Sequence, residues 1–173
     1  MRNWVLAVAL VALPGQAAAQ SAKSCLTPPE AEALVTYALP SAVRAVTTKC
    51  SPLLPATTAL AQSGPVIAAR YQVDADKAWP VARVAFDKMS GLDLTKTLGE
   101  PAARGLIDAA FGAGMAEKVK PGDCSKIDRL VDILQPLPTH NMAMLITTLM
   151  ELGTGDKQKK PPFKMCAAPN GGN

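Results

Sequence analysis

PVIAARYQVDADKAWPVARVAFDKM, residues 65–89, decides the fold class. Apolar side chains recur at Ile67, Tyr71, Ala75, Ala78, Ala82, Ala85 and Met89. Steps of three and four residues place them on one stripe of an α-helix. Opposite charges stand four apart on the other face, Arg70 with Asp74 and Arg83 with Asp87. Such pairs support a helix from turn to turn. Pro80 lies inside the run and predicts a kink or a split near Trp79, because it removes a hydrogen bond to the preceding turn.

Working outward, the N-terminal side reads as two shorter helices. In TPPEAEALVTYAL, residues 27–39, Thr27 is an N-cap, Pro28 stands at the first helical position and Glu30 completes a capping box. Pro40 predicts a corner, since the residue before a proline is pushed out of the α region. A second helix then runs from Ser41 to about Lys49. Ser51 to Pro65 is proline-rich and reads as a connector, with one helical turn at 56–62.

Beyond the long run, residues 91–99 read as a linker and Pro101 opens a helix to about Val119. Leu106, Ile107, Ala110, Phe111, Met115 and Val119 form its expected buried stripe. Gly105, Ala109, Gly112 and Gly114 are small enough to let another helix approach closely, or to line a groove. Asp123 or Ser125 caps the next helix, with Ile127, Leu130, Val131 and Leu134 inward. Pro136 and Pro138 turn the chain, and Thr139 caps a last helix. There Met142, Leu145, Ile146, Leu149 and Leu152 make one apolar side, while Met144 and Met150 make the other. A helix apolar on most sides is central in a fold or faces a partner. The tail, from about residue 153 to 173, has flexible-loop composition and is pinned by Cys166 and Phe163.

Aromatic residues make up 4% of the chain, so Ala, Leu, Val and Met must build the core. That favours helices, because Ala is the best helix former and strands prefer β-branched and aromatic side chains. The expected fold is all-α: an irregular bundle of about five or six helices, one domain over residues 20–173, stapled by two disulfides. The four cysteines are Cys25, Cys50, Cys124 and Cys166. A corner at Pro40 would bring Cys25 to Cys50, which favours the local pairs Cys25–Cys50 and Cys124–Cys166. The alternative pairs Cys50 with Cys124 and Cys25 with Cys166.

The first residues suggest the compartment. Arg2, the apolar run Trp4 to Leu13, the break at Pro14-Gly15 and the small residues Ala17 to Ala19 resemble a secretory signal. Residues 1–19 are expected to be cleaved near Ala19–Gln20. The mature chain is then exported, periplasmic or secreted, with no stable membrane anchor. A net charge of +4 without a basic stripe interleaved with aromatics does not point to nucleic acid.

Chemistry is sparse in the pattern. There is no CxxC, no GxSxG and no phosphate-binding glycine loop. Neither a cofactor nor a metal is expected, since zinc sites take several closely spaced Cys or His ligands and His140 is the chain's one histidine. At the start of the last helix the macrodipole disfavours an imidazolium, and the expected role of His140 is structural. The carboxylate pairs Glu30/Glu32, Asp74/Asp76 and Asp128/Asp132 read as solvated helix faces. The expected function is therefore a non-enzymatic interaction or structural module, with a protein or lipid partner in the cell envelope. An apolar-ligand or lipid-binding module is the alternative, with Met142, Leu145, Met150 and Phe111 as ligand-binding candidates and Lys157, Lys159, Lys160 and Lys164 toward an anionic surface. A hydrolase using one acid and water is a further alternative.

Overall fold

The computed structural model describes residues 25–153 and 163–166. Among them the helices are α1 (Pro28–Cys50), α2 (Ala59–Ser90), α3 (Leu94–Leu98), α4 (Glu100–Lys118), α5 (Cys124–Leu134) and α6 (Thr139–Gly153). Single 3-10 turns at Ser51–Leu53 and Pro121–Asp123 join them. The described residues are thus an all-α bundle, as the composition requires. The expected signal segment, residues 1–19, and Lys157, Lys159 and Lys160 lie outside the described residues.

The start of α1 follows its sequence signal. Pro28 takes the first helical position, and the Glu30 carboxylate accepts from the Thr27 main-chain N–H at 3.0 Å. Lys88, near the end of α2, places Nζ 2.5 Å from Glu30 Oε1. Partial burial pushes the Glu30 pKa up, but the Lys88 and Thr27 hydrogen bonds outweigh it and hold the carboxyl below its ordinary value. The same residue therefore caps α1 and ties it to α2.

The corner expected at Pro40 does not form: α1 runs unbroken from Pro28 to Cys50. Likewise α2 continues through Pro65 and Pro80, so the split near Trp79 and the long connector before Pro65 give way to one helix from Ala59. A proline inside a helix costs about 3 kcal/mol or more. The cost is offset by burial along the α1–α2 seam, where the two helices run antiparallel. Leu34 and Ala31 meet Ala85, Tyr37 meets Ala75, Trp79 and Ala82, Leu39 meets Ile67 and Tyr71, and Cys50 meets Leu60. Pro40 itself is among the most deeply buried side chains. Contacts on both sides of each proline hold the backbone helical where the local signal alone would break it.

This continuous helix overturns the expected cysteine pairs. Cys25 and Cys50 flank opposite ends of α1, a separation of about 35 Å at 1.5 Å per residue, far beyond disulfide reach. The structure joins Cys25 to Cys166 and Cys50 to Cys124, with Cα–Cα distances of 4.8 and 5.3 Å. The first bridge fastens residues 163–166 against the chain before α1. The Leu26 N–H donates to the Lys164 carbonyl and the Cys166 N–H to the Leu26 carbonyl, both at 2.8 Å. Phe163 and Met165 cover Leu26, Ala31, Leu34 and Ala85. The second bridge is buried with Leu60 and Val119 and locks the end of α1 to the start of α5. Disulfides of this kind belong to oxidising, extracytoplasmic surroundings. No helix among the described residues is long and apolar enough to cross a membrane.

Close helix approach occurs at a different glycine from those expected. A Cβ on Gly105, Gly112 or Gly114 of α4 would meet nothing within 4 Å, so no helix presses on them. Gly64 of α2 instead lies directly against Thr47 of α1; a Cβ there would fall 2.9 Å from Thr47 Cγ2. The stripe expected on α4 also narrows, with Ala103 and Ile107 buried while Leu106 is exposed. On α6 the inward residues are Thr139, Met142, Ala143 and Thr147. Leu145, Leu149 and Leu152, expected inward, face outward, because α6 rests on α1 by one side and is not enclosed.

Polar links complete the frame. Asp128 of α5 accepts from the Leu60 N–H at 2.7 Å and so caps α2 from another helix. Asp74 accepts from the Thr139 hydroxyl and from Lys77, which hold its carboxyl below the usual range. Arg70 does not take its expected role beside Asp74; it donates to the Gln135 carbonyl at 2.5 Å, while Arg83 and Asp87 stand 3.6 Å apart as the spacing suggests.

Peptide mapping without reduction should recover fragments joining Cys25 to Cys166 and Cys50 to Cys124. Removing either bridge by paired Cys→Ala substitution should lower unfolding free energy by about 2–5 kcal/mol in denaturant titration. Gly64→Ala, normally favourable in a helix by about 1 kcal/mol, should instead destabilise by about 1–3 kcal/mol through the Thr47 clash.

Candidate ligand groove

α1 and α4 run side by side in the same direction, and a groove opens between them. On α1 it is lined by Ser41, Arg44, Ala45, Thr48 and Lys49; on α4 by Asp108, Gly112 and Ala116. Each set recurs at helical spacing, so each occupies one face. The α4 members are four residues apart, and the middle one has no side chain. Because Ala45, Gly112 and Ala116 are small, nothing from either helix fills the space. The space is a shallow depression of about 550 Å³, largely open to solvent.

The α1 wall carries the polar chemistry. Arg44 donates through Nη1 to Gln72 Oε1 at 3.1 Å and through Nη2 to Ser41 Oγ at 3.3 Å. Lys49 Nζ donates to the Ala116 carbonyl, in the last turn of α4 where main-chain acceptors lack helical partners. Ser41 Oγ, buried at the other end, lies 3.5 Å from Asp108 Oδ1. The Tyr37 hydroxyl also donates to Asp108, and its phenol pKa is pushed far above the ordinary value, first by burial and then by that carboxylate.

Behind the groove a second layer holds these groups in place. Tyr37 and Trp79 rings have centroids 5.0 Å apart. Arg104 sits over the Trp79 ring at 4.6 Å and pairs with Asp76 at 3.2 Å and with Glu100 at 3.3 Å. Gln72 donates to the same Asp76. A chain of polar contacts thus runs from Arg104 through Asp76, Gln72, Arg44 and Ser41 to Asp108. A smaller apolar cleft of about 120 Å³ lies on another side of α1, between Val43, Val46, Leu60, Ile127 and Val131.

The sequence candidates are dispersed. Phe111 packs against Phe86 beside Tyr37, Trp79 and Leu26. Met142 is buried with Leu39, Ile67 and Tyr71, Leu145 is exposed and Met150 is half-buried. They do not line a shared pocket. His140 Nδ1 lies 2.5 Å from Glu32 Oε1, a contact that ties α6 to α1. Among the described residues no group of three His, Cys, Asp or Glu could hold a metal ion. Gly112 is the one candidate that the sequence linked to a groove and the structure places in one. Arg44 and Lys49 were missed, although a signal exists: no Asp or Glu occurs between Glu32 and Asp74.

No known protein family, curated protein or solved structure matches this chain.

The buried Tyr37–Asp108 contact has a measurable consequence. A phenol whose folded pKa is raised above its unfolded value of 10.0 contributes stability below that pH and loses it as pH rises. Stability should therefore fall from about pH 10 upward, with Tyr37 ionising only on unfolding when absorbance at the phenolate band is followed. Tyr37→Phe should remove that component and cost about 1–3 kcal/mol near neutrality, from the lost hydrogen bond to a charged group.

Proposed function

We propose that this protein is an exported helical binding module that acts by holding a ligand rather than by turning one over. The observation that carries this reading is the groove between α1 and α4, with its small-residue floor and its polar wall. Two features support export: the signal-like residues 1–19 and the disulfides at Cys25–Cys166 and Cys50–Cys124. The periplasm is the compartment that best fits the alanine-rich leader. Disulfides at both ends of α1 keep one wall of the groove rigid, which lowers the ordering cost of binding.

Native mass spectrometry of the protein purified gently from its own exported fraction tests the reading. A bound species of defined mass is expected. Gly112→Leu should eliminate it, because Gly112 has open space around its Cβ position and a larger side chain there fills the groove without disturbing the fold. Recovery of unliganded wild type, or turnover of wall or ester substrates by the pure protein, would sink the proposal.

A second reading rests on α6, whose Leu145, Leu149 and Leu152 form an outward apolar stripe; Leu152 is 74% exposed. An outward stripe of this kind fits a protein partner in the envelope. Leu149→Lys should then abolish co-purification of that partner while leaving groove occupancy unchanged.

A further inference from the structure

We infer that the Cys25–Cys166 bridge is a redox latch: a dithiol opens it while the Cys50–Cys124 bridge stays closed, and residues 163–166 then leave the apolar surface they cover. The two bridges differ in access. Cys50 and Cys124 are 0% and 1% exposed, packed with Leu60 and Val119 inside the bundle. Cys25 is 7% exposed and Cys166 is half-buried, in the short segment that pairs with Leu26. A thiolate must reach a bridge sulfur to exchange with it, so access selects the first bridge. One thiolate of the dithiol attacks the Cys166 sulfur, the more accessible of the pair. The S–S bond breaks, and Cys25 departs with the electron pair and takes a proton from water. The second thiol of the reductant then displaces Cys166 from the mixed disulfide. The protein gains two electrons and two protons, and the dithiol becomes a disulfide.

What the latch holds is small. The Leu26 N–H meets the Lys164 carbonyl, the Cys166 N–H meets the Leu26 carbonyl, and Phe163 and Met165 rest on Leu26, Ala31, Leu34 and Ala85. Cys25 and Cys166 are 141 residues apart in sequence, so the bridge is what returns this segment to α1. Without the bridge, a contact of this size must by itself offset the ordering of its own backbone. The α1–α2 seam has no such dependence, because its burial is spread over Tyr37, Ala75, Trp79, Leu39, Ile67 and Tyr71. The Cys50 end keeps a further tie, since Asp128 of α5 accepts from the Leu60 N–H. Opening the latch therefore uncovers Leu26 and Leu34, with Phe86 and Phe111 beside them, and leaves the helices in place. The state of one bridge decides whether that apolar surface meets solvent.

The test is a titration of the full, oxidised protein with dithiothreitol in the absence of denaturant. Samples are quenched in acid and alkylated, and each cysteine is read by peptide mass spectrometry. Cys25 and Cys166 should react at a dithiothreitol concentration about tenfold or more below that needed for Cys50 and Cys124. In that window, hydrogen exchange at the Leu26 and Cys166 amides should rise about tenfold or more. Fluorescence of a dye that binds apolar surface should about double, while helical circular dichroism persists. Paired Cys25→Ser and Cys166→Ser substitution should give the same exchange and dye binding without reductant. Reduction of both bridges together, earlier reduction of Cys50–Cys124, or unchanged exchange at Leu26 and Cys166 after selective reduction would each overturn the latch. Loss of the helical signal, in the selectively reduced protein or in the paired variant, would overturn it too, because the bundle must stand with the latch open.

Discussion

The antiparallel contact between α1 and α2 is the constraint on which the other elements depend. It brings Gly64 against Thr47 at one end and Leu34 against Ala85 at the other, with Tyr37, Leu39, Tyr71 and Trp79 between. Burial along that seam is spread over many side chains. Each fully buried large apolar side chain contributes about 1.5–3 kcal/mol. The seam can therefore carry three internal prolines that would otherwise stop the helices. Once both helices are continuous, their ends become fixed points. The Cys25 end receives residues 163–166, and the Cys50 end receives α5.

The groove is a product of the same frame. α4 lies along α1 through Ile107 and Ala103, but its exposed face carries small residues. With a large side chain at 112 the space would be closed; with glycine it stays open. Ser41 and Asp108 belong at once to the groove and to the polar chain behind it. That chain passes through Gln72 and Asp76 of α2, so the central seam also positions the groove's polar wall. The placement of Arg44 is thus set by tertiary packing, since its partner Gln72 is on another helix.

Much of the local structure was legible in residues. The Thr27–Glu30 cap is a short-range interaction whose partners are three apart, and it forms as written. The α2 stripe is buried at Ile67, Tyr71, Ala75, Ala82 and Ala85 as its period requires, while Ala78 is half-buried and Met89, at the helix end, is exposed. The outward turn of Leu145, Leu149 and Leu152 was not legible, because an apolar pattern says which faces can be buried but not how many neighbours exist to bury them. Asp128 shows the same limit: its role as a cap on α2 depends on a residue 68 positions away.

The sequence by itself determined the fold class, the capped start of α1 and the presence of enough cysteines for two bridges. These follow from composition, period and spacing, which act within a few turns of chain. Only the tertiary structure decided that α1 continues unbroken through Pro40, and with it the cysteine partners and the path of α4 beside α1. The physical reason is that a local proline penalty competes with burial summed along a whole helix, and the sum is visible only when the neighbouring helix is in place.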